Sequence, residues 1–221
     1  MSKLILYGDQ LSQPTRAILF ILLNNKIPHE FKTISIAKGE QNTEEFAKIN
    51  PWKKVPVIQD GDLTLIESHT ILRYIAQKYK LDQLYSNTDL IERCKVDMYL
   101  DWHHIGLRKP ASTVFYFTFV APLFGIPVNQ ELLASESKNL QTSLSKFESI
   151  WLGDKKFIVG DKATLADFAS FTEISNLRLI SNDYFDLSKY PKIDKWIKQF
   201  ETMDGYQESH NIFNIVLAKK Q

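Results

Sequence analysis

A serine lies where a short apolar strand gives way to an apolar helix, a place suited to binding an anion. Ser12 follows the strand-like residues 4–7 and stands two residues before Pro14, at the start of the helical residues 15–24. A serine at a helix N-cap accepts a backbone N–H of the first turn, and a proline is tolerated there because it needs no N–H. The same hydroxyl can also donate to an anion at the positive end of the helix dipole. A plain cap and an anion site are therefore both open for Ser12.

A thiolate is one anion that such a serine can stabilise. A free thiol has a pKa of about 8.5, and lowering that pKa by about two units requires roughly 2.7 kcal/mol of preference for the anion. A hydrogen bond to a charged group supplies roughly 1.5 to 3 kcal/mol, and the helix end about 0.3 to 1 kcal/mol more. Cys94 is the only cysteine, so the thiol has to come from a substrate. The hydrolase motif Gly-x-Ser-x-Gly is absent, so we expect Ser12 to hold a nucleophile rather than to be one.

Two further segments offer groups that suit the ends of a peptide. Pro56 lies just inside a predicted strand and has no N–H for the ladder, so the backbone of Val55 is open to an extended peptide. An ordinary kinked strand start is the alternative. Glu67 and Ser68 open the next predicted helix, with Ser68 in cap position, where backbone N–H groups suit a carboxylate and Glu67 suits an ammonium group. Capping alone would also explain Ser68.

Other polar residues have weaker claims to chemistry. Gln41 and Lys54 could bind a second carboxylate, although single surface residues of these types are more often simply solvated. Trp102, His103 and His104 are adjacent on a predicted helix, where successive side chains point to different faces and no carboxylate is spaced with them. We assign these three to structure and expect no metal site.

The elements that must position these residues form two domains. Over the first eighty residues, short β-like runs alternate with amphipathic stretches in the order βαβ-ββα, and residues 60–62 are a turn signal between the last two strands. We predict an α/β domain over residues 1–80, a polar linker over 81–88 and a second domain over 89–221. The predicted strands are residues 4–7, 30–35, 55–59 and 63–66, and the predicted helices of this first domain are residues 15–24 and 70–79.

Only helical spacing is persuasive after the linker, so we predict an all-helical second domain. Residues 114–124 are rich in aromatic side chains and lean toward strand, yet no pairing partner is visible, and we predict helix here as well. Thr164 and Asp167 have the spacing of a capping box, in which each side chain bonds the other residue's backbone N–H. This motif marks a helix start and says nothing about substrate.

Composition narrows the classes of function. The chain has 221 residues, a formal net charge of +1 and scattered basic residues, which argues against nucleic-acid binding. The first residues lack the basic start and long apolar run of a signal peptide, and the apolar run at residues 17–23 is too short to cross a bilayer. A single cysteine excludes an internal disulfide and fits a reducing compartment. We expect a cytoplasmic protein without membrane or nucleic-acid partners.

Three segments together resemble the glutathione-binding half of the cytosolic glutathione transferases: Ser12-Gln13-Pro14-Thr15-Arg16, residues 50–57 and Glu67-Ser68. A serine just before Gln-Pro-x-Arg is similar to the theta class, as is Tyr99-Leu100-Asp101-Trp102-His103 running on to Arg108. The resemblance covers nearly the whole chain. It implies a thioredoxin-like first domain, an all-helical second domain, a homodimer, and glutathione as co-substrate with no other cofactor.

The resemblance also implies roles for individual residues. Ser12 would activate the glutathione thiol, and the Val55 backbone, next to a cis Val55–Pro56 bond, would pair with the cysteinyl unit. Theta-like proteins often have histidine where this chain has Gln41, which keeps a hydrogen-bond donor but removes any positive charge. Arg108 would lie at the mouth of the site and steer or clamp an anion, with simple solvation as the alternative. The implied glutathione-binding residues are Gln13, Gln41 and Lys54 (glycyl end), Val55, Pro56, Glu67 and Ser68 (γ-glutamyl end), and Arg108.

The residues that would contact the electrophile are harder to identify. The resemblance places them between the first loop and the helical domain, which makes Leu11, Tyr116 and Ile212 the candidates. Core packing is the alternative for all three, and we favour it for Tyr116.

We expect an enzyme that adds the glutathione thiolate to small electrophiles such as alkyl halides, epoxides or organic hydroperoxides. The alternative is a non-catalytic carrier of hydrophobic ligands, or a binding module of the same fold. Intact Ser12, Glu67 and Ser68 favour the enzyme, and the lack of any extra domain disfavours the module. A relative of the intracellular chloride channels would have a cysteine near position 12 and a candidate membrane segment, and this sequence has neither.

Overall fold

A four-stranded mixed sheet forms the centre of the first domain in the computed structural model, which describes residues 3–220. Its strands are β1 (Leu4–Gly8), β2 (His29–Thr33), β3 (Val57–Asp60) and β4 (Leu63–Leu65). Their order is β2-β1-β3-β4, with β1 parallel to β2 and the other neighbours antiparallel. A parallel pair needs a crossover helix, so this sheet is the predicted βαβ-ββα, thioredoxin-like arrangement.

β1 is central in the sheet, and its side chains at Leu4 and Leu6 are fully buried. β3 begins at Val57, so Val55 and Pro56, which were predicted inside the strand, lie just before it. The Val55–Pro56 peptide bond is cis, as the resemblance implied.

Three helices cover the sheet: α1 (Gln13–Asn24), α2 (Glu44–Ile49) and α3 (Ser68–Lys78). α1 is buried along residues 15–22, and from residue 17 to residue 22 it is apolar on every side. α2 and the 3₁₀ turn Glu40–Asn42 before it were not predicted. Six residues are too few to show a helical period, although Thr43 caps α2 by accepting the Phe46 N–H at 3.2 Å.

The second domain is helical, as predicted. Its first part runs through two π-helical turns, which join successive α-helices without a break in the helical path. Residues 114–124 lie in this path and are helical rather than extended, which confirms that tertiary context outweighs their strand propensity. In chain order the helices are α4 (Leu90–His103), a π turn (His104–Arg108), α5 (Lys109–Phe115), a π turn (Tyr116–Val120), α6 (Ala121–Leu123), α7 (Gln130–Lys146), a π turn (Phe147–Leu152), α8 (Leu165–Leu177), α9 (Pro191–Glu201), α10 (Tyr206–Ser209) and α11 (Asn211–Ala218).

The two domains share one apolar core, in which α1 packs against α8. The Phe20 ring lies 5.0 Å from the ring of Phe168 and 6.0 Å from that of Phe171. The Phe20–Phe168 contact is edge-on, and a contact of that kind adds roughly 0.5 to 1.5 kcal/mol beyond the area that the rings bury. The loop bearing Ser12 is therefore mounted on a helix that is fixed to the second domain.

The segment between the domains is held against the core. Leu81, Leu84 and Tyr85 are all buried, and the Leu84 carbonyl accepts the Leu165 N–H at 3.1 Å. Because three of its apolar side chains are buried, this segment fixes the position of one domain relative to the other.

The predicted capping box starts α8. The Asp167 carboxylate accepts the Thr164 N–H at 2.9 Å, while the Thr164 side chain caps the first turn. Asp167 also accepts the Ile158 N–H at 2.9 Å and the Trp196 indole N–H at 3.0 Å. This carboxylate therefore ties α8 to α9 and to the loop before α8. Nowhere between residues 3 and 220 is a helix both long enough and apolar enough to span a membrane.

Candidate functional site

Ser12 occupies the N-cap of α1, as predicted. Its backbone is extended, and its hydroxyl oxygen accepts the Thr15 N–H at 3.5 Å. The residue is buried, with 8% of its surface exposed. A hydroxyl has one donor and two acceptor positions, so the cap bond leaves the O–H able to donate to a ligand. The cap and the anion site are compatible in this geometry.

Asp9 holds the loop that carries Ser12. Its carboxylate accepts the Leu11 N–H at 2.8 Å and the Ile36 N–H at 2.9 Å, and its carbonyl accepts the Ser12 N–H at 2.9 Å. These hydrogen bonds stabilise the loop internally and also connect it to the segment that follows β2. Asp9 was not singled out in the sequence, because its partner Ile36 is 27 residues away.

Gly8, at the end of β1, lets the start of α1 come very close to the sheet. A Cβ atom at Gly8 would overlap the side chain of Thr15, with Oγ1 only 2.7 Å away. Thr15 is fully buried and its Oγ1 has no partner among residues 3–220. Close packing therefore requires glycine at this position.

The segment before β3 offers a peptide backbone at its edge. Val55 is half-buried, and the pairing of β3 with β1 starts only at Val57. Asn50 shapes the preceding turn, because its side chain donates to the Lys54 carbonyl at 2.7 Å and accepts the Trp52 N–H at 3.1 Å. On this turn Pro56 is buried and Lys54 is exposed.

Glu67 occupies the N-cap of α3, and Ser68 is the first helical residue. The prediction that Ser68 is in cap position is therefore wrong by one residue. Glu67 has φ 64° and makes no side-chain cap bond, so the first-turn N–H groups lack that acceptor. A non-glycine residue with positive φ stores roughly 1 to 3 kcal/mol of strain, which surrounding structure has to hold. Such a helix start is suited to an incoming carboxylate.

The neighbourhood of Gln41 differs from that of an ordinary surface side chain. Gln41 lies in the 3₁₀ turn before α2, and its Oε1 is buried without a partner among the described residues. The neighbouring Glu40 carboxylate accepts the Ser35 N–H at 2.7 Å, which fixes the turn against the chain after β2.

Arg108 is held by a carboxylate that sequence inspection did not find. Its guanidinium forms an ion pair with Glu173 of α8, whose side chain is only 2% exposed. Burial lowers the pKa of Arg108, and the negative charge of Glu67 opposes that shift. Arg108 thus lies under the influence of carboxylates from both domains, and the alternative of a simply solvated arginine is wrong. Arg108 and Glu173 are 65 residues apart in the sequence, so no local sequence pattern predicts their ion pair.

Three imidazole rings pack where α3 meets the second domain. The His69 ring lies 5.0 Å from that of His103 and 4.1 Å from that of His104. His103 is buried and His104 exposed, as expected for adjacent residues on a helix. Burial is the main cause that lowers the pKa of His69 to about 3 and the pKa of His103 well below its usual value. Both rings are neutral at pH 7 and serve packing. No group of three or more metal-ligating side chains within residues 3–220 is arranged to hold an ion.

The three candidates for the electrophile site are all exposed: Leu11 by 42%, Tyr116 by 39% and Ile212 by 38%. Core packing, which the sequence favoured for Tyr116, is therefore wrong. Leu11 and Ile212 lie on neighbouring segments, because a single guanidinium, that of Arg16, bonds the carbonyl of Gln10 and lies over the ring of Phe213. No contact of that kind links Tyr116 to them among the described residues.

Two surface clefts lie away from all of these residues. One, of about 290 Å³, is lined by Arg178, Phe185 and Leu217 among others. The other, of about 360 Å³, lies between the start of α4 and the loop before α8. Neither cleft is lined by a buried polar atom that lacks a partner among the described residues.

Comparisons with known proteins agree with this geometry. Residues 2–77 match the family model of the glutathione S-transferase N-terminal domain, and residues 128–208 match that of the glutathione S-transferase C-terminal domain. Glutathione S-transferase theta-1 of Bos taurus is 37% identical over 94% of this chain and 87% of its own length. Glutathione S-transferase T1 of Arabidopsis thaliana is also 37% identical, over 96% of this chain and 89% of its own. The structure of human glutathione transferase theta-2 in complex with glutathione and an unknown ligand has a TM-score of 0.88 and 32% identity, covering 98% of this chain and 90% of that one.

Proposed function

Because this chain belongs to the glutathione S-transferase family, as a theta-class member, we propose that Ser12 donates its hydroxyl to the sulfur of glutathione and holds that sulfur as a thiolate. The observation that supports this most is the position of Ser12: a buried hydroxyl at the N-cap of α1 that uses only one acceptor position for its cap bond. Glutathione is the co-substrate of the family. The hydroxyl and the helix end together stabilise the anion by roughly 2 to 4 kcal/mol, enough for a pKa near neutrality.

The rest of glutathione binds in an extended form across the first domain. The Val55 backbone pairs with the cysteinyl unit, and Pro56 shapes that edge, while Gln13 borders the sulfur on the first turn of α1. The first-turn N–H of Ser68 receives the γ-glutamyl carboxylate, and Glu67 accepts from the ammonium group. Arg108 approaches the same end from the second domain. Lys54 and the amide of Gln41 receive the glycyl carboxylate.

The second substrate is a small electrophile such as an alkyl halide or an epoxide. With an alkyl halide, the thiolate attacks carbon, a sulfur–carbon bond forms, and the halide leaves with the bonding electrons. With an epoxide, the thiolate attacks a ring carbon, the carbon–oxygen bond breaks, and the resulting alkoxide takes a proton from water. With an organic hydroperoxide, the thiolate attacks the terminal oxygen and an alkoxide leaves. The resulting glutathione sulfenic acid and a second glutathione give the disulfide and water. Leu11, Ile212 and Tyr116, which are exposed apolar side chains, border the electrophile.

The working protein is a cytoplasmic homodimer. An apolar row of Ile91, Met98 and Ile105 spaced seven residues apart is 57% to 76% exposed along α4 and the π turn that follows. Residues with that spacing share one helix face, and a second copy of the chain would cover it.

A comparison of Ser12→Ala with wild type tests the proposed chemistry. Glutathione turnover is measured with a panel of alkyl halides, epoxides and cumene hydroperoxide across the pH range. We expect the variant to lose about two orders of magnitude of kcat/KM at neutral pH, because about 2.7 kcal/mol of thiolate stabilisation is removed, and to recover in alkali. Asn129→Ala, which removes the N-cap of α7, is the matched control and should keep full activity. If wild type and Ser12→Ala bind glutathione but are equally inert, Ser12 is only a cap and a carrier function replaces this proposal.

A further inference from the structure

Arg16 is a fully buried arginine at the junction of the two domains. Its guanidinium donates to the Gln10 carbonyl at 2.8 Å, to the Thr172 carbonyl at 3.4 Å and to the side-chain oxygen of Asn176. The ring of Phe213 lies under the guanidinium, with its centre 5.0 Å from the central carbon. One side chain of the first domain therefore reaches α8 and α11 of the second.

Core packing alone does not account for an arginine in this place. Burial lowers the pKa of Arg16 to about 9, an effect that Tyr206 and Asp9 oppose, so the group is still charged at pH 7. Replacing a buried charged group by a well-packed apolar residue is often neutral or stabilising, since the desolvation cost of the charge is then avoided. A buried arginine with specific acceptors therefore points to a requirement for its hydrogen bonds.

Arg16 forms hydrogen bonds with two carbonyl groups of the loop that carries Ser12. The backbone N–H of Arg16 donates to the Ser12 carbonyl at 3.0 Å, and its guanidinium donates to the Gln10 carbonyl two residues earlier. The remaining bonds of the guanidinium go to Thr172 and Asn176 of α8. Besides the packing of α1 on α8, one side chain thus ties this loop to the helical domain by hydrogen bonds.

We propose that Arg16 is a positioning residue of the glutathione site, which sets the position of the Ser12 hydroxyl by tying the Gln10 carbonyl to α8. The inference rests on the proposed function of Ser12. A hydrogen bond weakens steeply with misalignment, so a loop released from α8 places the hydroxyl poorly against the sulfur. The helical domain thereby has two roles. It lines the electrophile site, and through Arg16 and the loop it influences the pKa of the bound thiol.

Titration of the bound thiol tests this role in a way that a stability measurement cannot. The ultraviolet absorbance of the thiolate in the enzyme–glutathione complex is followed against pH for wild type, Arg16→Met and Arg16→Lys. We expect Arg16→Met to raise the pKa of the bound thiol by about one unit, from about 6.5 to about 7.5, which lowers the thiolate fraction at pH 7 about threefold, with glutathione affinity falling by no more than a similar factor. Arg16→Lys, which keeps one charged donor, should restore part of the shift.

A double variant separates positioning through Ser12 from a direct effect of charge. If Arg16 acts through Ser12, Arg16→Met should shift the thiol pKa in the wild-type background and leave it unchanged in Ser12→Ala. An equal shift in both backgrounds, or no shift in wild type, overturns the inference. If Ser12→Ala itself leaves the thiol pKa unchanged, the proposed function fails instead.

Two further variants cover a failure to fold. Asn176→Ala removes one acceptor of Arg16 on α8 and keeps the arginine, so it should shift the thiol pKa in the same direction by a smaller amount; no shift with Asn176→Ala overturns the inference even if Arg16→Met is insoluble.

Phe168→Leu weakens the same interdomain core without contacting Arg16, and it should lower the melting temperature while the thiol pKa stays at the wild-type value. A shift with Phe168→Leu equal to that of the Arg16 variants shows a general loosening and contradicts the specific role.

Discussion

Arg108, on the π turn after α4, forms an ion pair with Glu173, a buried carboxylate of α8. The negative charge of Glu67, in the first domain, opposes the lowering of the Arg108 pKa by burial, so Glu67 also interacts with this guanidinium. A guanidinium that interacts with two carboxylates attracts each of them less strongly than it would attract one alone. Glu173 therefore controls how far the charge of Arg108 is available to Glu67 and to a ligand bound there.

Glu173→Gln should loosen this arrangement and weaken glutathione binding. The variant keeps the shape of the side chain but removes the charge, so Arg108 turns toward Glu67 and competes with the ammonium group of glutathione. We expect the KM for glutathione to rise severalfold with little change in kcat, and the free energy of unfolding to fall by about 1 to 3 kcal/mol. Steady-state kinetics and urea unfolding measure both effects.

The control for this prediction is the ion pair of Arg178, the C-cap of α8, with Glu201 of α9, in which the two groups lie 2.6 Å apart. The Arg178 side chain is about as exposed as that of Arg108, whereas Glu201 is more exposed than Glu173. Glu201→Gln should change stability by about 1 kcal/mol or less and leave the KM for glutathione unchanged. Equal effects of Glu173→Gln and Glu201→Gln on KM would show that Glu173 has no special relation to the site.

Asp167 should make the stability of the fold fall as pH rises through the weakly acidic range. Burial raises the pKa of this carboxyl from 3.8 to about 6, although four hydrogen bonds oppose the shift. A pKa that is higher in the folded state means that the native protein holds the proton more tightly. The stabilising contribution is complete below about pH 4 and is lost by about pH 7, a change of about 3 kcal/mol.

The measurement is the free energy of unfolding of wild type and Asp167→Asn at several pH values between 4 and 7. Since asparagine does not titrate, the difference between the two proteins isolates Asp167. Wild type should lose stability relative to the variant as pH rises; a difference that stays constant with pH, or moves the other way, contradicts the raised pKa.

Gly8→Ala should damage the site by steric overlap, and a second substitution should repair it. The added Cβ meets Cγ2 and Oγ1 of Thr15 and pushes the start of α1 away from β1. We expect a loss of about 1 to 3 kcal/mol in stability and a marked loss of activity, because Ser12 caps that helix. Thr15→Ala removes both overlapping atoms, so the double variant should regain much of the stability and activity. If the double variant does not recover, overlap with Thr15 is not the cause of the loss in Gly8→Ala.

Met98→Glu should convert a homodimer into a monomer if α4 forms the interface. The substitution puts a charge in the middle of the exposed row that Ile91 and Ile105 complete, and a buried unpaired charge is costly in an interface. Analytical ultracentrifugation measures the mass of both proteins. Ile215→Glu, at a residue 46% exposed on α11, is the control and should leave the mass unchanged. A wild type that sediments as a monomer would contradict the proposed dimer itself.

Local patterns predicted the parts of the site that local chemistry determines. Ser12 at a strand-to-helix junction and Thr164 with Asp167 are recognisable because the capping hydrogen bond of each spans only three residues. The hairpin around Gly61 was predicted for the same reason, since a positive φ at one glycine closes it.

Long-range pairings account for what the sequence did not reveal. Arg16 finds Asn176 across 160 residues, and Arg108 finds Glu173 across 65. Neither partner has a periodic or capping signal in the sequence, so only the packing of α1 and of the π turn after α4 against α8 brings each pair together. The cap of α3 was misplaced by one residue because Glu67 adopts a positive φ, which glutamate rarely does.

The acidity of the bound thiol is the quantity on which the proposed chemistry depends most directly. Titration of the thiolate absorbance in complexes of glutathione with wild type and with Ser12→Ala measures it without reference to any electrophile. The wild-type complex should ionise about two pH units below the value of about 8.5 for a free thiol, and the Ser12→Ala complex should ionise close to that free value. The same low thiol pKa in both complexes would contradict the role of Ser12, as would a wild-type pKa no lower than that of free glutathione.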